Sequence, residues 1–282
     1  MNEYLLAFLL GIIEGLTEFL PVSSTAHLRI MQAFLGVDLS NAYWKMFSIV
    51  IQLGAILCLP IYFRARITAF LTTFPRGRRG DRTVFDHPLT LTLLAFVCTA
   101  IPSFLLSKVI GENLESLTVM ASSLIAGGVV MWVVDAVYGN RNRPGDVESI
   151  GRGQAIWIGL CQILAAVFPG TSRSMATISA GEMAGLSRTA ALEFSFLLSI
   201  PTMAAATGYD LLKAIQNPDE GGSLGALRMD AHEITVLAIG FVVSFLVAWG
   251  VVAWFMNWVR NRGFAVFAIY RILLGIAVLL WM

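Results

Sequence analysis

The sequence predicts an all-α integral membrane protein, with six transmembrane helices and two re-entrant helical hairpins in an inverted-topology repeat. Three observations predict it. Apolar residues make up 57% of the 282 residues and charged residues 13%, against about 25% charged in a typical soluble domain. The mean hydropathy is +0.76, and a soluble chain of this size keeps too much surface to hide that much apolar area. Finally, six stretches are long and apolar enough to span a bilayer, while two others are interrupted by polar residues in one shared pattern.

A hydrocarbon core about 30 Å thick needs about 20 apolar residues in a helix. Residues 45–64, 88–108, 116–138, 188–213, 233–258 and 263–282 meet that requirement. Residues 2–20 carry Glu14 and Glu18 and stop at Pro21. Residues 153–168 are apolar but short, and stop at Pro169-Gly170. Each is followed by a polar patch and a second short segment, 25–36 and 173–186. A helix that stops at proline and restarts after small polar residues suits a re-entrant hairpin. Irregular backbone of that kind is tolerated at membrane depth only when it is buried in protein or lines a wet cavity.

The halves echo one another. With an offset of 148, Gly11 aligns with Gly159, Pro21 with Pro169 and Ser24 with Ser172. With an offset of 147, Phe47-Ser48 aligns with Phe194-Ser195. Each half runs as a broken hairpin followed by three spans. Three is odd, so the second hairpin enters from the opposite side, an arrangement that brings discontinuous helices together near the midplane. The chain therefore reads as a single membrane domain over 1–282, with repeat one at about 1–138 and repeat two at about 153–282.

Lys and Arg give the orientation. Under this topology Arg64, Arg66, Arg76, Arg78, Arg79, Arg82, Arg141, Arg143, Arg152, Arg188, Arg260 and Arg262 share one side. The other side holds Lys45, Lys108, Lys213 and Arg228 with Glu112, Glu115, Asp219, Glu220 and Asp230. The basic side is expected to be cytoplasmic, with both termini and the mouth of the first hairpin facing outward. The stretch 213–233, with Asn217-Pro218 and Gly221-Gly222, reads as an outer loop, and 74–87 as an Arg-rich inner loop. The first charged residue is Glu3 rather than a Lys/Arg cluster, so no cleavable leader is expected. Cys58, Cys98 and Cys161 sit far apart in apolar runs, so neither disulfides nor a zinc site are expected. A net charge of +1 suggests no nucleic-acid partner.

The chemistry concentrates in GIIEGLTEFLPVSSTAH, from Gly11 to His27. Glu14 and Glu18 are four apart and share a helix face. Each charge at bilayer depth costs about 2.5–3.5 kcal/mol on the insertion scale, and two carboxylates at one depth repel. A divalent cation, Mg²⁺ or Ca²⁺, would relieve both costs through oxygen ligands; alternatively one carboxyl holds a proton as a general acid or base. After Pro21 come Ser23, Ser24, Thr25 and His27. A single hydroxyl suffices for a helix cap, and here there are three. A hydroxyl near a histidine can act as a nucleophile with its base.

The second patch is PGTSRSMAT, from Pro169 to Thr177. A glycine-started helix with Arg173 makes an anion site, because backbone N–H groups and a guanidinium converge there. Gly170, Thr171, Ser172, Ser174 and Thr177 are candidates to cap that helix or to donate to phosphate. Gln52, a polar residue inside a span, either reaches the first hairpin or bonds between helices. Carboxylates, hydroxyls, one histidine and one arginine suit phosphoryl transfer, where catalysis is mainly positioning and charge neutralisation. No Walker loop is present, which argues against ATP hydrolysis. The lipid surroundings point to a substrate with an apolar tail and an anionic head.

These two motifs resemble a known family. EGLTEFLPVSSTAH, from Glu14 to His27, is similar to the first motif of bacterial undecaprenyl-diphosphatases, the bacitracin-resistance proteins. PGTSRSMAT is similar to their second, PGxSRSxxT, and the ending FAIYR, Phe267 to Arg271, also fits. The family often has glycine where this chain has Ala26 and Met175. The resemblance implies hydrolysis of undecaprenyl diphosphate to undecaprenyl phosphate and inorganic phosphate at the outer face of the cytoplasmic (inner) membrane. It implies carrier-lipid recycling for peptidoglycan, bacitracin resistance and divalent-cation dependence, and the family suggests a homodimer. Carried over, Glu14 and Glu18 would hold the cation or manage protons. Ser24 or His27 would attack or activate the attacker, and Arg173 would clamp the diphosphate. The alternative from another class is a transporter or flippase of the polyprenyl phosphate carrier, since broken helices in inverted repeats are transporter architecture.

Overall fold

The computed structural model describes residues 2–38, 41–77, 80, 82–108, 110, 116–139, 146–216 and 230–281. Eleven α-helices form among them: α1 (Glu3–Thr17), α2 (Ser24–Phe34), α3 (Ala42–Tyr62), α4 (Arg64–Thr73), α5 (Pro88–Leu105), α6 (Leu117–Tyr138), α7 (Arg152–Val167), α8 (Arg173–Met183), α9 (Arg188–Gln216), α10 (Ala231–Asn261) and α11 (Ala265–Trp281). No strand is present among the described residues. Arg78, Arg79, Glu112, Glu115, Arg141, Arg143, Arg228, Asp219, Glu220, Asn217-Pro218 and Gly221-Gly222 lie outside the described residues, as does the side chain of Lys213.

The expected spans and breaks fall close to their expected positions. Five helices are long and apolar enough to cross a membrane, within α3, α5, α6, α9 and α10. The sixth expected span, 263–282, forms as the 17-residue α11, about 26 Å long at 1.5 Å per residue. The sequence predicts no counterpart of α4. Here α3 ends on Phe63, whose φ of −91° and ψ of 15° turn the chain, and the basic stretch after it forms a separate ten-residue helix.

Proline sets both breaks. α1 stops at Thr17 and the chain turns through Pro21 before α2 starts at Ser24. α7 stops at Val167; Phe168, the residue before Pro169, is extended at φ −115° and ψ 94°, as steric clash with the proline ring requires. Gly170 follows at φ +96°, and a Cβ there would strike the backbone of Met120, so this turn needs glycine.

The helix before each break packs on a helix distant in sequence. α1 lies on α10, and α7 lies on α5. Gly11 allows the first approach, since a Cβ there would sit 2.8 Å from the Gly240 carbonyl. Gly159 allows the second, since a Cβ there would sit 2.9 Å from Ala95 Cα. These two glycines, aligned by sequence, therefore do one job in two places. α6 and α11 pack on each other, and α3 packs on both α9 and α10. The main core holds Phe19, Leu59, Phe196, Phe255 and Phe264, all fully buried.

Charges at the Arg-rich end also join the halves. Arg188 of α9 donates through Nε to Asp135 of α6 at 2.8 Å, while Asp135 accepts from the Phe264 backbone N–H at 2.9 Å. Arg66 of α4 donates through Nε to Glu193 of α9 at 2.6 Å.

Candidate active site

The two breaks end in matched turns. Ser23 and Ser172 are the only described non-glycine residues at positive φ, 73° and 72°. That region is strained for a residue with a Cβ, and such strain gathers at functional sites. Each serine caps the next helix: Ser23 Oγ accepts from Ala26 N–H at 3.5 Å, and Ser172 Oγ from Met175 N–H at 3.3 Å. The structural equivalence is thus Ser23 with Ser172, an offset of 149, and corrects the Ser24–Ser172 alignment. The second break holds one more residue between proline and cap. The equivalent of Ser24 is Arg173, each the first residue of its short helix.

These two residues meet on Glu18. Ser24 Oγ donates to Glu18 Oε2 at 2.5 Å. Arg173 Nη2 donates to Glu18 Oε1 at 3.2 Å. Glu18 is 7% exposed. Arg173 Nε and Nη1 are buried and have no partner among the described residues. Ser174 Oγ, on the same helix turn, is also buried and has no partner among the described residues.

Glu14 lies one turn before Glu18 and is fully buried. Neither of its oxygens accepts a hydrogen bond from a donor among the described residues. Its charged neighbours are Glu18, which repels it, and Arg173, which attracts it. A bond between the two carboxyls forms only when one carries a proton. A buried bare carboxylate is costly, so this position calls for a proton or a cation. Among the described residues no group of three or more His, Cys, Asp or Glu is arranged to hold a metal. Two carboxylates remain, and they fit the manner in which Mg²⁺ is held, by one or two carboxylates with the rest from substrate phosphate and water.

His27 sits elsewhere in the hydrogen-bond network. Nδ1 meets the Ser23 carbonyl at 2.7 Å and Nε2 meets the Tyr270 hydroxyl at 2.7 Å. His27, which the sequence offers as a possible base for a nearby hydroxyl, makes no hydrogen bond to Ser24 among the described residues; Ser24 is paired with Glu18 instead. Thr177 is drawn into packing: its Oγ1 bonds the Arg173 carbonyl at 2.9 Å and Ser195 Oγ at 2.6 Å. Thr25 is half-buried on α2. Gln52 is half-buried on α3. Ala26 and Met175, where the related motifs often carry glycine, are both buried in the core.

Arg271, the last residue of the FAIYR ending, receives no role from the sequence, yet it reaches both breaks. It is fully buried on α11. Nη1 donates to the Pro21 carbonyl at 2.9 Å, and Nη2 to the Gly170 and Thr171 carbonyls at 3.0 and 2.8 Å. One guanidinium therefore ties the first break to the second, and it takes up the carbonyls of Gly170 and Thr171. A signal was present all the same: a lone basic residue in an apolar helix marks function by default.

The sequence model of the family described as bacitracin resistance protein BacA matches residues 7–277. The chain belongs to the BacA family. Curated relatives agree in name. An undecaprenyl-diphosphatase of Koribacter versatilis is 64% identical over 282 residues, covering 100% of this chain and 99% of the relative. One from Caldanaerobacter subterraneus is 39% identical, covering 99% and 96%. One from Rhizobium etli is 42% identical, covering 98% and 96%. The BacA family model thus spans both breaks and the Tyr270–Arg271 end of α11 that ties them together.

Proposed function

We infer that this BacA protein is an undecaprenyl-diphosphatase. It hydrolyses undecaprenyl diphosphate to undecaprenyl phosphate and inorganic phosphate, recycles the carrier lipid for wall synthesis and confers bacitracin resistance. The observation that carries the reading at this site is the Ser24–Glu18–Arg173 chain, beside donors that have no partner among the described residues.

The chemistry follows from those atoms. Ser24 Oγ attacks the terminal phosphorus and gives its proton to Glu18. The bond from that phosphorus to the bridging oxygen breaks, and undecaprenyl phosphate leaves with the oxygen. Water then attacks the phosphoserine, inorganic phosphate leaves and the proton returns to Ser24 Oγ. Arg173 Nε, Arg173 Nη1 and Ser174 Oγ donate to phosphoryl oxygens, which is where charge gathers in the transition state. His27 is the weaker choice of nucleophile, because both of its nitrogens are already engaged. Glu14, with Glu18 beside it, would hold a Mg²⁺ or Ca²⁺ ion, which when bound supplies charge neutralisation to the diphosphate.

The two helix–break–helix units are re-entrant hairpins of an inverted repeat, α1–α6 against α7–α11. The exchange of α1 onto α10 and α7 onto α5 supports this. The protein sits in the cytoplasmic membrane with its Arg-rich end inside and its site opening outward, and it works as a homodimer. Labelling of single cysteines placed in 64–88 from the outside would contradict that orientation. Phosphate release from detergent-solubilised protein tests the enzyme reading, because a carrier of the same lipid would release none.

A further inference from the structure

A carbonyl oxygen only accepts. The Ser23 carbonyl therefore requires a proton on His27 Nδ1, at 2.7 Å. In the neutral ring Nε2 is then a bare acceptor. The group that meets it, also at 2.7 Å, is the hydroxyl of Tyr270 on α11. The two rings lie nearly parallel, 13° apart with centroids 5.6 Å apart, so Tyr270 restrains both the tilt and the tautomer. The next residue, Arg271, holds the carbonyls of both breaks. Consecutive residues of α11 thus reach the backbone of the site and its one histidine.

We propose that Tyr270 is a positioning residue of the diphosphatase site, donating its hydroxyl proton to His27 Nε2 and thereby holding His27 as the Nδ1–H tautomer. The proposal rests on the diphosphatase reading above. The hydroxyl of Tyr270 meets His27, whose Nδ1–H in turn holds the carbonyl of Ser23, the strained residue just before Ser24, so its effect on turnover runs through His27. A histidine restrained by its outer hydrogen bond is a recurring device, since the partner of one ring nitrogen decides the state of the other.

The test uses the full-length detergent-solubilised protein and the variants Tyr270→Phe, His27→Ala and the double substitution. Phenylalanine keeps the ring stack and removes only the hydroxyl. Nitrogen-15 histidine spectra are recorded without substrate. Only three histidines are present, and His27→Ala identifies the signal of His27. The expected result is a wild-type His27 signal of the Nδ1–H tautomer that becomes a tautomer mixture in Tyr270→Phe. With undecaprenyl diphosphate, kcat falls about tenfold, the worth of one hydrogen bond, while KM stays within about twofold. The double variant turns over like His27→Ala alone. An unchanged tautomer in Tyr270→Phe, an unchanged kcat, or additive losses in the double variant would each overturn the proposal. Absence of phosphate release from the wild type would instead overturn the diphosphatase reading, while the spectra still decide whether Tyr270 sets the tautomer.

Discussion

Arg173 and Glu18 stand 155 positions apart in the sequence and form an ion pair at 3.2 Å. The pair lies where the two broken helices meet. Removing one member leaves the other charge buried and unpaired, which is strongly unfavourable. Removing the arginine also takes away Nε and Nη1, the donors that the proposed mechanism aims at the phosphoryl group. Arg173→Ala is expected to lower kcat/KM about 10³-fold or more. Phosphate release by the purified variant, with its elution profile unchanged, checks this. Full turnover would remove Arg173 from the mechanism.

Glu18→Gln keeps the size of the side chain and removes the proposed base, the carboxylate to which Ser24 donates. Loss of a positioned general base costs about 10²–10⁴-fold. At saturating undecaprenyl diphosphate the single-turnover rate of the variant is expected to drop by that factor. A rate within about threefold of wild type, roughly half a decade in k, would hand the proton to another group.

Glu14→Gln replaces the carboxylate that has no donor among the described residues. A divalent-cation titration of activity is expected to show a cation requirement about tenfold or more weaker than in wild type. Chelation of the wild type is expected to stop phosphate release. A variant with the wild-type titration curve would place the cation, if one is used, away from Glu14.

Arg271→Leu leaves the carbonyls of Pro21, Gly170 and Thr171 without their donor. Unpaired buried acceptors cost about 1–3 kcal/mol each. Thermal unfolding in detergent is expected to shift down by several degrees and activity to fall with it. Arg271→Lys is expected to recover little, because one ammonium cannot span carbonyls that a planar fork reaches together. Equal thermal stability in both variants and wild type would show that the breaks need no such tie.

Gly159→Ala tests the packing of α7 on α5. Its methyl would sit 2.9 Å from Ala95 Cα, and overpacking of this kind costs about 1–3 kcal/mol. The expected signature is a lower unfolding temperature with KM little changed.

Much of this is legible in the chain. Pro21 and Pro169, glutamates inside an apolar run and two serine-rich patches mark both breaks in the amino-acid sequence alone. Gly11 and Gly159, aligned in the sequence, serve matching helix contacts. Contacts across the chain are less legible. Nothing in the local pattern says that Ser24 prefers Glu18 over the nearer-looking His27, because that choice depends on how the chain turns at Ser23. The one-residue difference between the breaks shifts the alignment at the cap. Tyr270 and Arg271 are visible only as part of a motif, since their partners lie in segments distant in sequence. The helix α4 escapes notice because ten residues starting with Arg64 and Arg66 show no strong apolar face.

Ser24 as the group that takes the phosphoryl is the claim on which the mechanism turns. Its decisive test is rapid acid quench of the wild type with undecaprenyl diphosphate labelled at the terminal phosphate, followed by peptide mapping. The expected outcome is label on Ser24 as an acid-stable phosphoserine, absent in Ser24→Ala. Steady phosphate release with no label on Ser24, or label on His27 that survives a parallel alkaline quench and is lost in acid, would contradict it.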